Sequence, residues 1–298
     1  ASVYFIARSL AGKLTFDFDT KLIAKILQFS VPLGLASVVG TLNILLDKLI
    51  IGHFFDSEQL AIYTNASNEL PVTIIAASVT AVLMPQLVRL FKQDKKEEGI
   101  SLWGDATSLS YILICFLATG VFVFAPEVIS LLYSEKYLPG VPVFRIYSLV
   151  LLLRCTYFGM VLNSTGNTKF IFYSSIAALC INTILAYVLL LFVGFIGPAI
   201  AAFTSQAIIQ FAQLQATSRI TKISFNRIFP WRMLSYITAV NISMGVAFYF
   251  AKRVLPLELF VGAILESLLL GAVWGLIYIF IMAHPIKLKW AILNGQSL

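Results

Sequence analysis

Charge is scarce in this chain: Asp, Glu, Lys and Arg together make up 12% of its 298 residues, against about 25% in an ordinary soluble domain. With 59% hydrophobic residues and a mean hydropathy of +0.91, one solvated core cannot hide the apolar surface. Cysteine is rare too. Cys115, Cys155 and Cys180 form no CxxC pair, which excludes a redox dithiol and leaves them as small apolar packing residues. Histidine is limited to His53 and His284, at opposite ends of different apolar runs, so no zinc or redox-metal cluster and no cofactor are expected. No GxxxxGK[ST] loop is present to cradle a nucleotide. The absence of GxSxG, HExxH and paired loop acids argues against a membrane hydrolase, protease or glycosyltransferase, so no enzyme is expected. The short alternating segments of a membrane β-barrel are missing as well. The chain opens on ASVYFIARSL without Met, n-region or cleavage site, which suggests the last turns of a helix begun upstream rather than a signal peptide.

What the chain has instead is a series of apolar runs of about 20 residues, each long enough to cross the roughly 30 Å hydrocarbon layer as a helix. They fall at 28–52, 66–91, 102–124, 141–162, 170–193, 197–217, 233–250 and 258–283, with a short amphipathic interfacial helix and turn over EVISLLYSEKYLPG. The expected fold class is an all-α polytopic membrane protein of about eight transmembrane helices. Residues 1–27 make the end of a preceding helix and a polar connector, 28–217 a six-helix lobe, and 218–298 a basic loop, two further helices and a tail.

The Lys/Arg pattern orients these helices. Fifteen of the 21 basic residues fall in one set of alternate loops and termini, and only Lys136, Lys252 and Arg253 in the other. By the positive-inside rule both ends of this segment are cytoplasmic. Trp103, Trp231 and Trp290 all fall at cytoplasmic ends, as interfacial anchors do. The net charge of +7 therefore belongs to helix ends at a membrane, and no nucleic-acid partner is expected.

The stretch FSVPLGLASVVGTLNILLDKLIIGHFF, the region of Tyr63 and NELPVTIIAASVTAVLMPQLVRLF follow one another in an informative order. FAPEVISLLYSEKY, VFRIYSLVLLLR and the NSTGNTK link come after them. This string resembles the polysaccharide-flippase branch of the MOP superfamily, the Wzx-type exporters of O-antigen, capsule and teichoic-acid repeat units. These are related to the lipid II flippase and to MATE drug exporters. The resemblance runs from about residue 25 to 220. It implies two six-helix lobes, of which this chain is the second plus two C-terminal helices, with the N-terminal lobe as partner. It further implies translocation of polyprenyl-(pyro)phosphate-linked oligosaccharide across the inner (cytoplasmic) membrane by alternating access, with membrane lipids as surroundings. A MATE-type cation or drug exporter, or a membrane polymerase or ligase acting on lipid-linked sugars, are the alternatives.

The candidate substrate-binding residues are Arg154, Asp47, Lys48, Asn43 and Arg145. Arg154 lies near the middle of its run in LVLLLRCTYFG, and is either an anion contact in a cavity or a structural bond to helix-end carbonyls or a carboxylate. Arg145 lies half a turn round from it on a straight helix, and is an interfacial anchor or pairing partner. Asp47 and Lys48 face the lobe interior or the headgroups, with Asn43 extending the polar stripe one turn deeper. Glu69 and Glu266 are the ion-coupling candidates. Asn182 suits an interhelical hydrogen bond, and Gly271/Gly275 a weak packing motif.

Overall fold

The computed structural model describes residues 19–68, 73–254 and 262–293. Glu69 and the first turn of the run expected at 258–283 lie outside them. The first described helix is set by Asp19, whose side chain accepts from the amides of Lys21 and Leu22 at 2.9 and 3.2 Å. Such a cap satisfies donors that a helix start otherwise leaves open. Helix α1 (Thr20–Phe54) therefore begins inside the expected connector, and Pro32 is carried within it. A second cap, Asp56 on the amide of Gln59, starts α2 (Ser57–Ala66), a short helix between the apolar runs expected at 28–52 and 66–91.

The remaining elements are α3 (Thr73–Lys92), α4 (Lys96–Val123), α5 (Ala125–Leu132), a 3-10 turn (Glu135–Gly140) and α6 (Val141–Leu153). Then come α7 (Met160–Ser164), α8 (Thr168–Val193), a second 3-10 turn (Gly194–Ile196), α9 (Gly197–Thr221), α10 (Phe225–Ile228), α11 (Trp231–Val254) and α12 (Ala263–Leu293). Seven stretches of the described residues are long and apolar enough to span a membrane. One of them, Thr168–Thr221, is 54 residues long and holds two helices. The chain folds back between those helices, and counting both gives the eight expected. Large apolar side chains point outward on these helices, among them Leu49, Phe192, Leu276 and Phe280. That surface requires lipid. The protein is a multi-pass helical membrane protein.

The α8–α9 fold-back depends on a close approach. Gly194 adopts φ +69°, and a Cβ at Gly197 would lie 2.4 Å from the carbonyl carbon of Leu189. Gly197→Ala is therefore expected to cost at least the 1–3 kcal/mol or so typical of overpacking. Thermal unfolding in detergent, read by size-exclusion chromatography, checks this. An unchanged melting temperature would show that the two helices can part without penalty.

Helix α4 is the central post. It is buried along most of its length, and α3, α6, α11 and α12 all pack on it. The last two helices are fixed to it by side chains with polar tips. The Tyr278 hydroxyl donates to the Ile112 carbonyl at 2.7 Å, Tyr111 and Thr238 share a hydrogen bond of 2.7 Å, and Asn241 donates to Tyr278 at 3.2 Å. The Trp274 ring stacks on Phe248 with centroids 5.1 Å apart. Glu127 on α5 pairs with Lys252 on α11, and Asp105 on α4 pairs with Lys289 near the end of α12. Gly275 meets the Phe116 ring, whereas nothing approaches Gly271, so the GxxxG motif does not bring two helix backbones together.

Trp103 differs from its expected role. Its side chain is fully buried and donates to the Thr156 hydroxyl at 2.9 Å, so it is a core residue and not an interfacial anchor. Trp231 and Trp290 remain exposed, as anchors are. Of the cysteines, Cys115 and Cys155 are buried and Cys180 is exposed.

Candidate functional site

Two polar constellations are assembled inside the bundle. In the first, Asp47 of α1 is 1% exposed and sits where α1, α2, α6 and α8 converge. Its Oδ2 accepts from the hydroxyls of Tyr63, at 3.4 Å, and Tyr147. Its Oδ1 accepts from Asn182 Nδ2 at 3.3 Å, and the same amide reaches Asn43 Oδ1 at 3.1 Å. The carboxyl group is thus held by neutral donors from three other helices, which ties α1 to the rest of the lobe. The headgroup reading of Asp47 does not describe this position, since the side chain is enclosed by protein. Asn43 belongs to the same network, and Asn182 makes the interhelical bond expected of it. Lys48, next in sequence, is partly exposed and lies outside this network.

The second constellation surrounds Arg154. The sequence suggests one helix over 141–162, but α6 stops at Leu153 and Arg154 is its C-terminal cap residue, with the chain leaving the helix until Met160. Two tertiary contacts hold the break. Thr156 Oγ1 accepts from Trp103 and Thr107 of α4 at 2.9 and 3.1 Å. Gln210 of α9 donates from Nε2 to the Leu153 carbonyl at 2.7 Å, filling one of the acceptors a helix end leaves open. Arg154 also stands at the C-terminal end of α6, where the helix dipole favours positive charge.

A cavity of about 760 Å³ opens beside the break. Its walls come from α1, α3, α7, α8, α9 and the segment after α6, and include Arg154, Asn163, Gln206, Gln210 and Gln213. Arg154 is the one charged residue among the described lining residues, and no carboxylate is among them. Broken helices within membrane bundles are tolerated where the freed backbone is buried in protein or borders a cavity, and this break does both.

The structure does not gather all the candidates. Arg145 donates from Nε to the Phe122 carbonyl at 3.2 Å, lies over the Phe122 ring, and borders a different, mainly apolar cavity of about 630 Å³. It is a pairing residue away from Arg154, as their half-turn separation suggests, although the straight helix assumed for that argument is interrupted. Glu266 is 1% exposed with Oε1 unpartnered, but α12 contacts α4, α5 and α11, far from both constellations. Tyr63, Tyr147 and Gln206, Gln210 and Gln213, three of the four glutamines of α9, were not singled out from sequence. These three carry a visible signal, recurring at four and three residues along one helix, whereas the tyrosines carry none.

Comparison with known proteins fits this architecture. Residues 2–142 match the model of a family described as polysaccharide biosynthesis protein. The lipid II flippase MurJ in an inward closed conformation superposes with a TM-score of 0.66, at 20% identity, over 94% of this chain and 59% of that one. The chain is thus similar in sequence to polysaccharide biosynthesis proteins and shares the fold of a lipid II flippase. Among curated proteins it is 21% identical to the capsular polysaccharide biosynthesis protein CapF of Staphylococcus aureus over 207 residues, 68% of this chain and 52% of that protein. It is 27% identical to the teichuronic acid biosynthesis protein TuaB of Bacillus subtilis (strain 168) over 164 residues, 53% of this chain and 33% of that protein. The chain thus spans from a third to about half the length of these curated relatives. The family match takes in α1 to α5, including Asp47 and Tyr63, and ends before Arg154 and the glutamines.

Proposed function

We propose that this chain forms the second lobe of a flippase that moves polyprenyl-phosphate-linked oligosaccharide across the cytoplasmic membrane for cell-surface polysaccharide synthesis. The single observation that carries this reading is the cavity beside the α6 break, with one guanidinium, several amides and no described carboxylate. A phosphate needs a cation with a forked set of donors, which Arg supplies better than Lys. A cation exporter would place acids in such a cavity, so the lining favours an anionic substrate. The lobe would work against an N-terminal lobe by alternating access, with the saccharide inside the protein and the lipid tail in the bilayer, and without covalent chemistry. The Asp47 network, which joins four helices, suits a joint that keeps α1 moving with its lobe.

In this reading both ends of the segment are cytoplasmic. Single cysteines at positions 95 and 222 are expected to be labelled by an impermeant maleimide only from the cytoplasmic side, and one at position 136 only from outside. Labelling of positions 95 and 136 from the same side would overturn the orientation and the crossing pattern together.

A further inference from the structure

The cavity beside Arg154 has a second chemical character, carried by its uncharged walls. Gln206, Gln210 and Gln213 lie on one face of α9, within about 60° of one another at 100° per residue. All three border the cavity. Each amide offers an acceptor and two donors. The Gln210 side chain spends Nε2 on the Leu153 carbonyl, while its Oε1 is buried without a hydrogen-bond partner. Gln210 is 6% exposed. A buried amide carbonyl left open costs about 1–3 kcal/mol unless a donor arrives. Gln213 holds Ser174 at 3.1 Å, and Gln206 makes no hydrogen bond among the described residues, so its amide is available to a ligand.

Aromatic surface completes the wall. Tyr157 and Phe158 border the same cavity. Gly159 allows the Tyr157 ring its place, because a Cβ there would come within 2.9 Å of the ring carbon Cζ and the hydroxyl oxygen. An aromatic face beside a row of neutral amides matches a pyranose, which has an apolar C–H face and a rim of hydroxyl or N-acetyl groups that both donate and accept. A uronic carboxylate is acceptor-only and needs a cation or several donors. With Arg154 on the phosphate, no second cation stands among the described lining residues to meet it. The volume, about 760 Å³, lies within the usual range of about 300–1,000 Å³ for small-molecule sites.

We infer that this cavity binds a neutral sugar bearing hydroxyl or N-acetyl groups, hydrogen-bonded by Gln206, Gln210 and Gln213 and lying against Tyr157, beside the phosphate held by Arg154. The inference rests on the translocation reading above and narrows its substrate. The test uses the intact protein in detergent and three short-chain probes: a sugar-free polyprenyl phosphate, the same lipid carrying N-acetylglucosamine through the phosphate, and the same lipid carrying glucuronic acid. Wild-type protein binds the N-acetylglucosamine lipid more tightly than the other two. Gln206→Leu, which breaks no hydrogen bond among the described residues, weakens binding of that lipid roughly fivefold to tenfold, the value of one or two neutral hydrogen bonds. The same variant leaves the sugar-free lipid unchanged. Equal wild-type affinity for all three lipids, tighter binding of the glucuronic acid lipid, or no effect of Gln206→Leu would overturn the sugar site while leaving the translocation reading in place. Binding of none of the three would remove that reading, and this inference with it.

Discussion

Arg154→Ala is expected to reduce export of lipid-linked saccharide at least tenfold per folded molecule of the intact protein. The guanidinium stands at the mouth of the α6 break and is the one charge among the described residues of the cavity. A charge-assisted hydrogen bond contributes about 1.5–3 kcal/mol, and a forked pair of them to phosphate accounts for a tenfold loss or more. Arg154→Lys keeps the charge but not the fork, so export should fall between the two. Export must be normalised to protein that runs as a single species after extraction, because the side chain also makes contacts within the protein. If Arg154 only bridges elements, the Ala variant loses folded protein while what remains exports normally, and Arg154 leaves the substrate site.

Asp47 should show the opposite pattern. Asp47→Ala removes the buried acceptor shared by the hydroxyls of Tyr63 and Tyr147 and one of the two acceptors of the Asn182 amide. At about 1–3 kcal/mol for each unpaired buried group, the variant should be recovered mainly as aggregate. Asp47→Asn keeps one oxygen acceptor and nearly the same shape, so most of the fold should return. Export by folded Asp47→Asn then separates the two roles a buried carboxyl can have. Normal export means that Asp47 is only a structural joint, and loss of export from well-folded protein means that the carboxyl itself takes part in the transport cycle. Full recovery of folded Asp47→Ala would show that the four-helix junction is held by packing alone.

Much of the fold can be read from residues along the chain, because membrane crossing is a local property of length and hydropathy. The α8–α9 pair is marked by Gly194, Gly197 and Pro198 between two apolar runs, and the amphipathic α5 by FAPEVISLL. The break after Leu153 is not marked. LVLLLRCTYFGM reads as continuous apolar helix, and the helix ends because Gln210 on α9 and Trp103 and Thr107 on α4 draw the following residues away. Those partners are 49 to 57 residues distant in the chain. Trp103 misleads for the same reason, since a tryptophan near a helix end resembles an interfacial anchor until Thr156 is placed beside it. Half of each constellation is legible in the same way. Asp47 and Arg154 stand out as charges in apolar runs, but Tyr147 and Asn182 lie 100 and 135 residues from Asp47, and an aromatic or an amide in a membrane helix is unremarkable by itself. Lys289, which pairs with Asp105, likewise looks like one more basic residue of a cytoplasmic tail.

The proposed passage of a phosphate-linked saccharide across a bilayer is open to direct test by reconstitution. The intact protein would be placed in vesicles holding a fluorescent polyprenyl-phospho-oligosaccharide in both leaflets, with an impermeant reductant added outside. Wild-type protein should let the reductant bleach nearly all the label as molecules cross to the outer leaflet, whereas Arg154→Ala vesicles of equal protein content should stop near half, as protein-free vesicles do. Bleaching that halts near half with wild-type protein, or proceeds equally fast with Arg154→Ala, would contradict the account.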